Sequence, residues 1–262
     1  MFPAKIDEQP DTYLKSIGEV FAEFGEHTQD SGNISYGVTI DGHRYFVKTP
    51  GIPDDPKPFA PAPRRQEAVR RYGRLAAEIE HDTLPAYHGL IETPWGPALV
   101  FDWREGDHLG THLDRFRALA AEEISEALDQ LYDLHDVLTS SGWIEGDFYD
   151  GAMLYDFDTQ QLTVMDLDDY RPGVYRNDMG RMFGSTRFMA PEQLTLDAVI
   201  DDSTTAFVMA RTALVLLADG TLDRSAFRGT DAQYAVLEQA TTTRFDSFQA
   251  FYSAWLEASS MT

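Results

Sequence analysis

The dipeptide Asp41-Gly42, set between the β-rich runs ISYGVTI (34–40) and HRYFVK (43–48), constrains this chain more than any other local feature. A two-residue hairpin loop of type I′ needs positive φ at both turn positions, which Asp-Gly tolerates, so the flanking runs are expected to pair as antiparallel strands. Upstream, residues 11–26 repeat apolar side chains at Leu14, Ile17, Val20, Phe21 and Phe24, which predicts an amphipathic helix. Residues 50–64 carry six of the thirteen prolines and read as an ordered loop. A helix is expected over 66–80 and a buried strand over ALVFDW (98–103).

The second half changes character. Helical patterns cover about 111–141, and AMLYDFDTQQLTVMDL (152–167) predicts a second hairpin with its turn at DTQQ. The segment TTAFVMARTALVLLA (204–218) is apolar nearly all round and reads as a central buried helix rather than a membrane element. Phe245, Phe248, Phe251, Trp255 and Leu256 are expected on one side of a last helix. This pattern predicts an α+β architecture of two lobes, sheet-rich over 1–102 and mostly helical over 103–262.

Composition narrows the function. The 21 basic and 44 acidic residues give a net charge of −23, which repels nucleic acid and favours cationic partners. The absence of cysteine removes disulfides, thiolate catalysis and zinc–sulfur sites together. With no long apolar run and no signal-like amino end, a cytoplasmic protein without a membrane partner is expected. Lysine is scarce (Lys5, Lys15, Lys48 and Lys57), so Lys48, at the end of an apolar strand, stands out.

Phosphoryl transfer needs a positive side chain on the phosphates, a carboxylate holding a cation, and a second carboxylate orienting the attacking hydroxyl. Lys48, Asp166 in VMDLDDY and Asp147 in WIEGDFYDG are candidates for these roles, and a strand out and back would return Asp166 towards Asp147. Other constellations fall away. His108 and His112 stand four apart, but Gly110 weakens the helix and no HExxH glutamate accompanies them, so they read as solvent-facing residues of a linker helix. Asp156-Phe-Asp158 lacks the glycine and terminal glutamate of a calcium loop, and no serine sits in a GxSxG elbow.

In this order the motifs resemble those of the eukaryotic-like serine/threonine protein kinases and of the aminoglycoside phosphotransferases that share their fold. RYFVK resembles the strand carrying the phosphate-binding lysine, and ALVFDWREGDHL the hinge that binds adenine through the main chain at Asp102 and Arg104. EGDFYDGAMLYDF resembles the catalytic loop, VMDLDDY the metal-binding segment, and GSTRFMAPEQL the end of an activation segment. The resemblance implies a kinase-like bilobal fold, with ATP and Mg2+ or Mn2+ as cofactors and the γ-phosphate passed to a hydroxyl-bearing protein substrate. It further implies catalytic roles for Asp147 and Lys48, and a buried ion pair between Glu192 and Arg244.

The sequence also departs from that pattern. The phosphate-clamping loop QDSGNISYGV keeps only Gly32 and Gly37; the amides of Ser31, Gly32 and Asn33 are candidates for phosphate contact, and an ordinary hairpin turn is the alternative. Ala152 stands where the family has a second metal-binding asparagine, leaving Asp166 and Asp168 as the candidate metal pair and Asp150 as a substitute ligand. Glu67 and Glu78 both lie on the helix expected to partner Lys48, with Glu67 preferred. Gly146 and Tyr149 replace the usual arginine and lysine of the catalytic loop, so no loop phosphorylation should be needed. Gly146-Asp147, Asp168 and the acidic charge suit a small-molecule phosphotransferase with a polycationic acceptor, whereas Ala152 and the eroded glycine loop suit a pseudokinase binding module.

Overall fold

The computed structural model describes residues 2–27, 31–55 and 60–260. The architecture is mixed α+β, and the chain divides into two compact units, the first ending at Arg104 and the second starting at Glu105.

In the first unit, helix α1 (Pro10–Ile17) precedes strands β1 (Glu19–Phe24), β2 (Ile34–Ile40) and β3 (His43–Thr49). Helix α2 (Ala62–Glu78) follows, then β4 (Tyr87–Thr93) and β5 (Gly96–Asp102). The strands form one antiparallel sheet in the order β1-β2-β3-β5-β4. The β2–β3 hairpin closes as its turn chemistry predicts, with Ile40 opposite His43 and positive φ at Asp41 (50°) and Gly42 (81°).

The helix expected over 11–26 is corrected: it ends at Ile17, and residues 19–24 are an edge strand. Gly18 is extended there, and a Cβ at that point would lie 2.4 Å from the Thr39 carbonyl oxygen, so the backbones meet where no side chain fits. Pairing with β2 then satisfies the backbone of 19–24, with a bulge between Val20 and Ala22 that absorbs the consecutive apolar pair. The α2 helix begins at Ala62, four residues before the predicted start; within the proline-rich stretch, residues 56–59 lie outside the described residues.

Period-two alternation gives this sheet two distinct faces. On one, Tyr36, Val38, Val47, Ala98 and Val100 pack with Leu14 of α1 and with Ile6. On the other, Tyr72 of α2 stacks on Phe101 of β5 at 5.2 Å. Gly73 lets α2 approach closely, since a Cβ there would be 2.8 Å from Leu99 Cδ2.

The second unit contains β6 (Asp107–His108), α3 (Leu109–Arg117), α4 (Ala121–Ser140), β7 (Trp143–Ile144), β8 (Met153–Asp156) and β9 (Gln161–Val164). Short strands β10 (Arg171–Pro172), β11 (Tyr175–Arg176) and β12 (Val199–Ile200) lead to helices α5 (Asp202–Leu217), α6 (Asp231–Thr241) and α7 (Phe248–Ser259). Helix α5 is the buried centre its composition predicts, and the Asp201 carboxylate caps it by accepting from the amides of Ser203 and Thr204. Tyr132 of α4, fully buried, donates to the Met209 carbonyl at 3.0 Å.

Two further expectations are corrected in this unit. Phe248, Phe251 and Trp255 are buried in α7, but Leu256 is 45% exposed, because consecutive helical residues point about 100° apart and only one of the pair can face inward. His108 is not on a helix: it lies in β6, half-buried, with Nε2 2.9 Å from the Gly151 carbonyl oxygen. Among the described residues, no helix is long and apolar enough to cross a membrane.

Candidate functional site

The loop after β7 is built around Glu145, Gly146 and Asp147. A Cβ on Gly146 would lie 2.2 Å from the Asp169 carbonyl oxygen, so close backbone approach explains the glycine. Glu145 is fully buried: Oε1 accepts from Gln193 Nε2 at 2.6 Å, and Oε2 accepts from the Phe148 amide at 3.2 Å. Burial and the nearby charge of Asp147 push the Glu145 carboxyl up to about 8, against the lowering effect of those two donors. Asp147 Oδ1 is itself buried, and Gly184 packs so near that a Cβ there would be 2.8 Å from it.

The β8–β9 hairpin does what its pattern predicts. Met153 pairs with Val164, and the Met165 amide donates to the Ala152 carbonyl at 2.9 Å, so Asp166 emerges beside the loop that carries Asp147. Asp166 adopts φ 64°, a left-handed conformation uncommon for a non-glycine residue and costly enough to require support from its surroundings. Asp168, 7% exposed, lies two residues on. Asp150, the candidate substitute ligand, is buried, and its Oδ2 accepts from Arg187 at 2.7 Å. Arg187 belongs to the GSTRF segment, and its carbonyl accepts from the Arg211 guanidinium at 2.9 Å and 3.1 Å.

In the sheet unit, Lys48 lies on β3, 4% exposed, opposite Ser35 and Leu99, with Nζ 5.8 Å from the Tyr72 ring centroid. Glu67 does not meet it. The Glu67 carboxylate is exposed and accepts from Arg74 at 3.0 Å, because the face of α2 turned to the sheet carries Val69, Tyr72 and Leu75 instead. Ser31 Oγ accepts from the Asn33 amide at 3.2 Å, so that amide has a partner within its own turn. Gly32, at φ 82°, presses its carbonyl against Gly51, where a Cβ would be 1.9 Å away. Residues 28–30 of the same loop lie outside the described residues. At the end of β5 the Asp102 amide donates to the Ala86 carbonyl at 2.8 Å, and the Arg104 guanidinium donates to the Leu84 carbonyl at 3.1 Å.

The ion pair expected between Glu192 and Arg244 is present, but its expected burial is corrected: the side chains are 19% and 25% exposed, so the pair is only partly buried. The Arg244 guanidinium also lies over the Phe207 ring at 4.6 Å, which ties the end of the GSTRFMAPE segment to α5. No family model matches the chain, and no curated protein matches it in sequence.

Sequence reasoning missed Glu145, Arg187 and Tyr72. The signal for Glu145 was a carboxylate directly following the apolar pair Trp143-Ile144, in a stretch too short to bring it back to solvent. Arg187 and Tyr72 offered none, because their partners are 37 and 24 residues away in the chain.

Proposed function

We propose that the chain is an ATP-dependent phosphotransferase of protein-kinase-like bilobal fold that moves the γ-phosphate to a hydroxyl acceptor on a protein. The observation that carries this reading is the hairpin that delivers Asp166, on strained backbone, beside the Asp147 loop. Asp166 and Asp168 would hold Mg2+, since two carboxylates from one turn make the hard oxygen donor set that Mg2+ prefers. The cation would neutralise charge on the transferring phosphoryl group. Lys48 would hold the phosphates, and Asp147 would orient the acceptor hydroxyl and take its proton. A Glu145 that is neutral near pH 7 leaves the negative charge of this loop on Asp147.

A protein acceptor is favoured by the anchored segment from Gly184 to Glu192, held by Arg187–Asp150 at one end and Glu192–Arg244 at the other. Because side chains of this chain already supply those anchors, the segment needs no phosphate to order it. A second reading, a nucleotide-binding module without turnover, is favoured by Ala152, whose methyl group cannot ligate a second cation.

Calorimetric titration of ATP with and without Mg2+ tests the reading. Mg2+-dependent binding should be lost in Asp166→Asn and kept in Asp147→Asn, while Asp147→Asn loses turnover by about 100-fold or more. Binding without turnover in the unaltered chain supports the module instead, and no binding at all refutes both. Labelled phosphate on a small polycation rather than a protein would move the acceptor to the antibiotic-modifying class.

A further inference from the structure

The sheet face opposite Lys48 carries a second cluster. His43 opens β3, Asp102 closes β5, and Tyr45, which pairs with Asp102, stands between the two histidines of the group. His88 joins them because β4 changes register between Tyr87 and Gly89. An extra residue in a strand re-aims a side chain that regular alternation would send elsewhere. Both imidazoles converge on one oxygen: Asp102 Oδ1 lies 2.8 Å from His43 Nε2 and 2.6 Å from His88 Nε2. The Tyr45 ring packs on both, with centroids 4.4 Å and 5.2 Å away, and so limits their rotation.

We propose that His43 Nε2, His88 Nε2 and Asp102 Oδ1 form a binding site for a divalent transition metal ion of the zinc type. The three ligand atoms lie within 4.8 Å of one another. A tetrahedral ion with bonds of about 2.0–2.1 Å spaces its ligands about 3.3–3.5 Å apart. Small ring rotations reach that spacing, replacing the two hydrogen bonds by metal bonds. Two imidazoles with one carboxylate select Zn2+, Co2+, Ni2+ or Cu2+ over Mg2+, whose preference is for oxygen. The side chains are 54%, 36% and 31% exposed, so the remaining coordination positions face solvent and accept water or a ligand. The ligands come from three neighbouring strands, so the ion would clasp the β3-β5-β4 edge. Since β3 alternates, this site and Lys48 lie on opposite faces, and the inference does not depend on phosphotransfer.

The test uses the full chain without a polyhistidine tag, stripped with a chelator and titrated with Co2+ under visible spectroscopy, then with Zn2+ in competition. One equivalent of Co2+ should develop ligand-field absorption, and stoichiometric Zn2+ should abolish it and raise the melting temperature. His88→Ala and His43→Ala, both exposed positions, should each weaken Zn2+ binding at least about tenfold, while His112→Ala leaves it unchanged. Asp102→Asn, which preserves shape, should weaken it as well, so the conclusion does not rest on one variant. Absence of cobalt absorption, or Zn2+ affinity unaltered in both histidine variants, overturns the proposal and leaves a hydrogen-bonded His–Asp–His cluster.

Discussion

Replacing Glu145 by glutamine removes a carboxyl group that the fold encloses completely, and the consequence for stability depends on pH in a calculable way. In the folded chain this group titrates at about 8, raised from an ordinary 4.5, first by burial and then by the charge of Asp147. The folded state therefore holds the proton more tightly than the unfolded state. The stabilisation is fully present below about pH 4.5 and is lost as pH rises through about 8. Across the whole window the shift corresponds to roughly 5 kcal/mol, of which about 2 kcal/mol disappears between about pH 6 and pH 8. Glutamine cannot titrate. Its amide also turns one of the two acceptors facing Gln193 and Phe148 into a donor, which adds a pH-independent cost of about 1 kcal/mol. Urea denaturation of both proteins from pH 6 to 9 should show stability falling more steeply in the unaltered chain, by about 2 kcal/mol up to pH 8. Asp147→Asn, which removes one of the raising charges, should give an intermediate slope. Parallel curves for all three would refute the argument, since histidines and surface groups titrate alike in each.

Two other perturbations follow from packing and charge. Arg244→Ala should destabilise the chain by about 2–3 kcal/mol in urea denaturation, because it strands the partly buried Glu192 carboxylate and uncovers Phe207; Glu192→Gln in the same background should recover part of that loss. Gly146→Ala forces a methyl group to within 2.2 Å of the Asp169 carbonyl oxygen unless the backbone shifts, and should cost about 1–3 kcal/mol in urea denaturation while displacing Asp147 enough to lower the proposed phosphotransfer.

The sequence by itself determined what local chemistry can dictate. Asp41-Gly42 closed a hairpin, the apolar run from Thr204 became the buried helix α5, and the period-two segment from Met153 to Val164 folded back to carry Asp166 to its loop. Each of these is a relation between near neighbours, where backbone preference and hydrophobic period act directly. The ion pair of Glu192 with Arg244 was legible only through resemblance of the flanking motifs. Other features were decided by tertiary structure. Residues 19–24 have helical spacing yet became a strand, because the open edge of β2 satisfied their backbone groups. Glu67 turned to solvent and Tyr72 to Lys48, because the angular position of a residue on α2 matters only once the sheet lies beneath it. His43, His88 and Asp102 form no pattern in the chain; strand order and a single bulge brought them to one oxygen. Contacts of this kind depend on which elements become neighbours, and that is settled by burying apolar area over a whole unit rather than by any short run of residues.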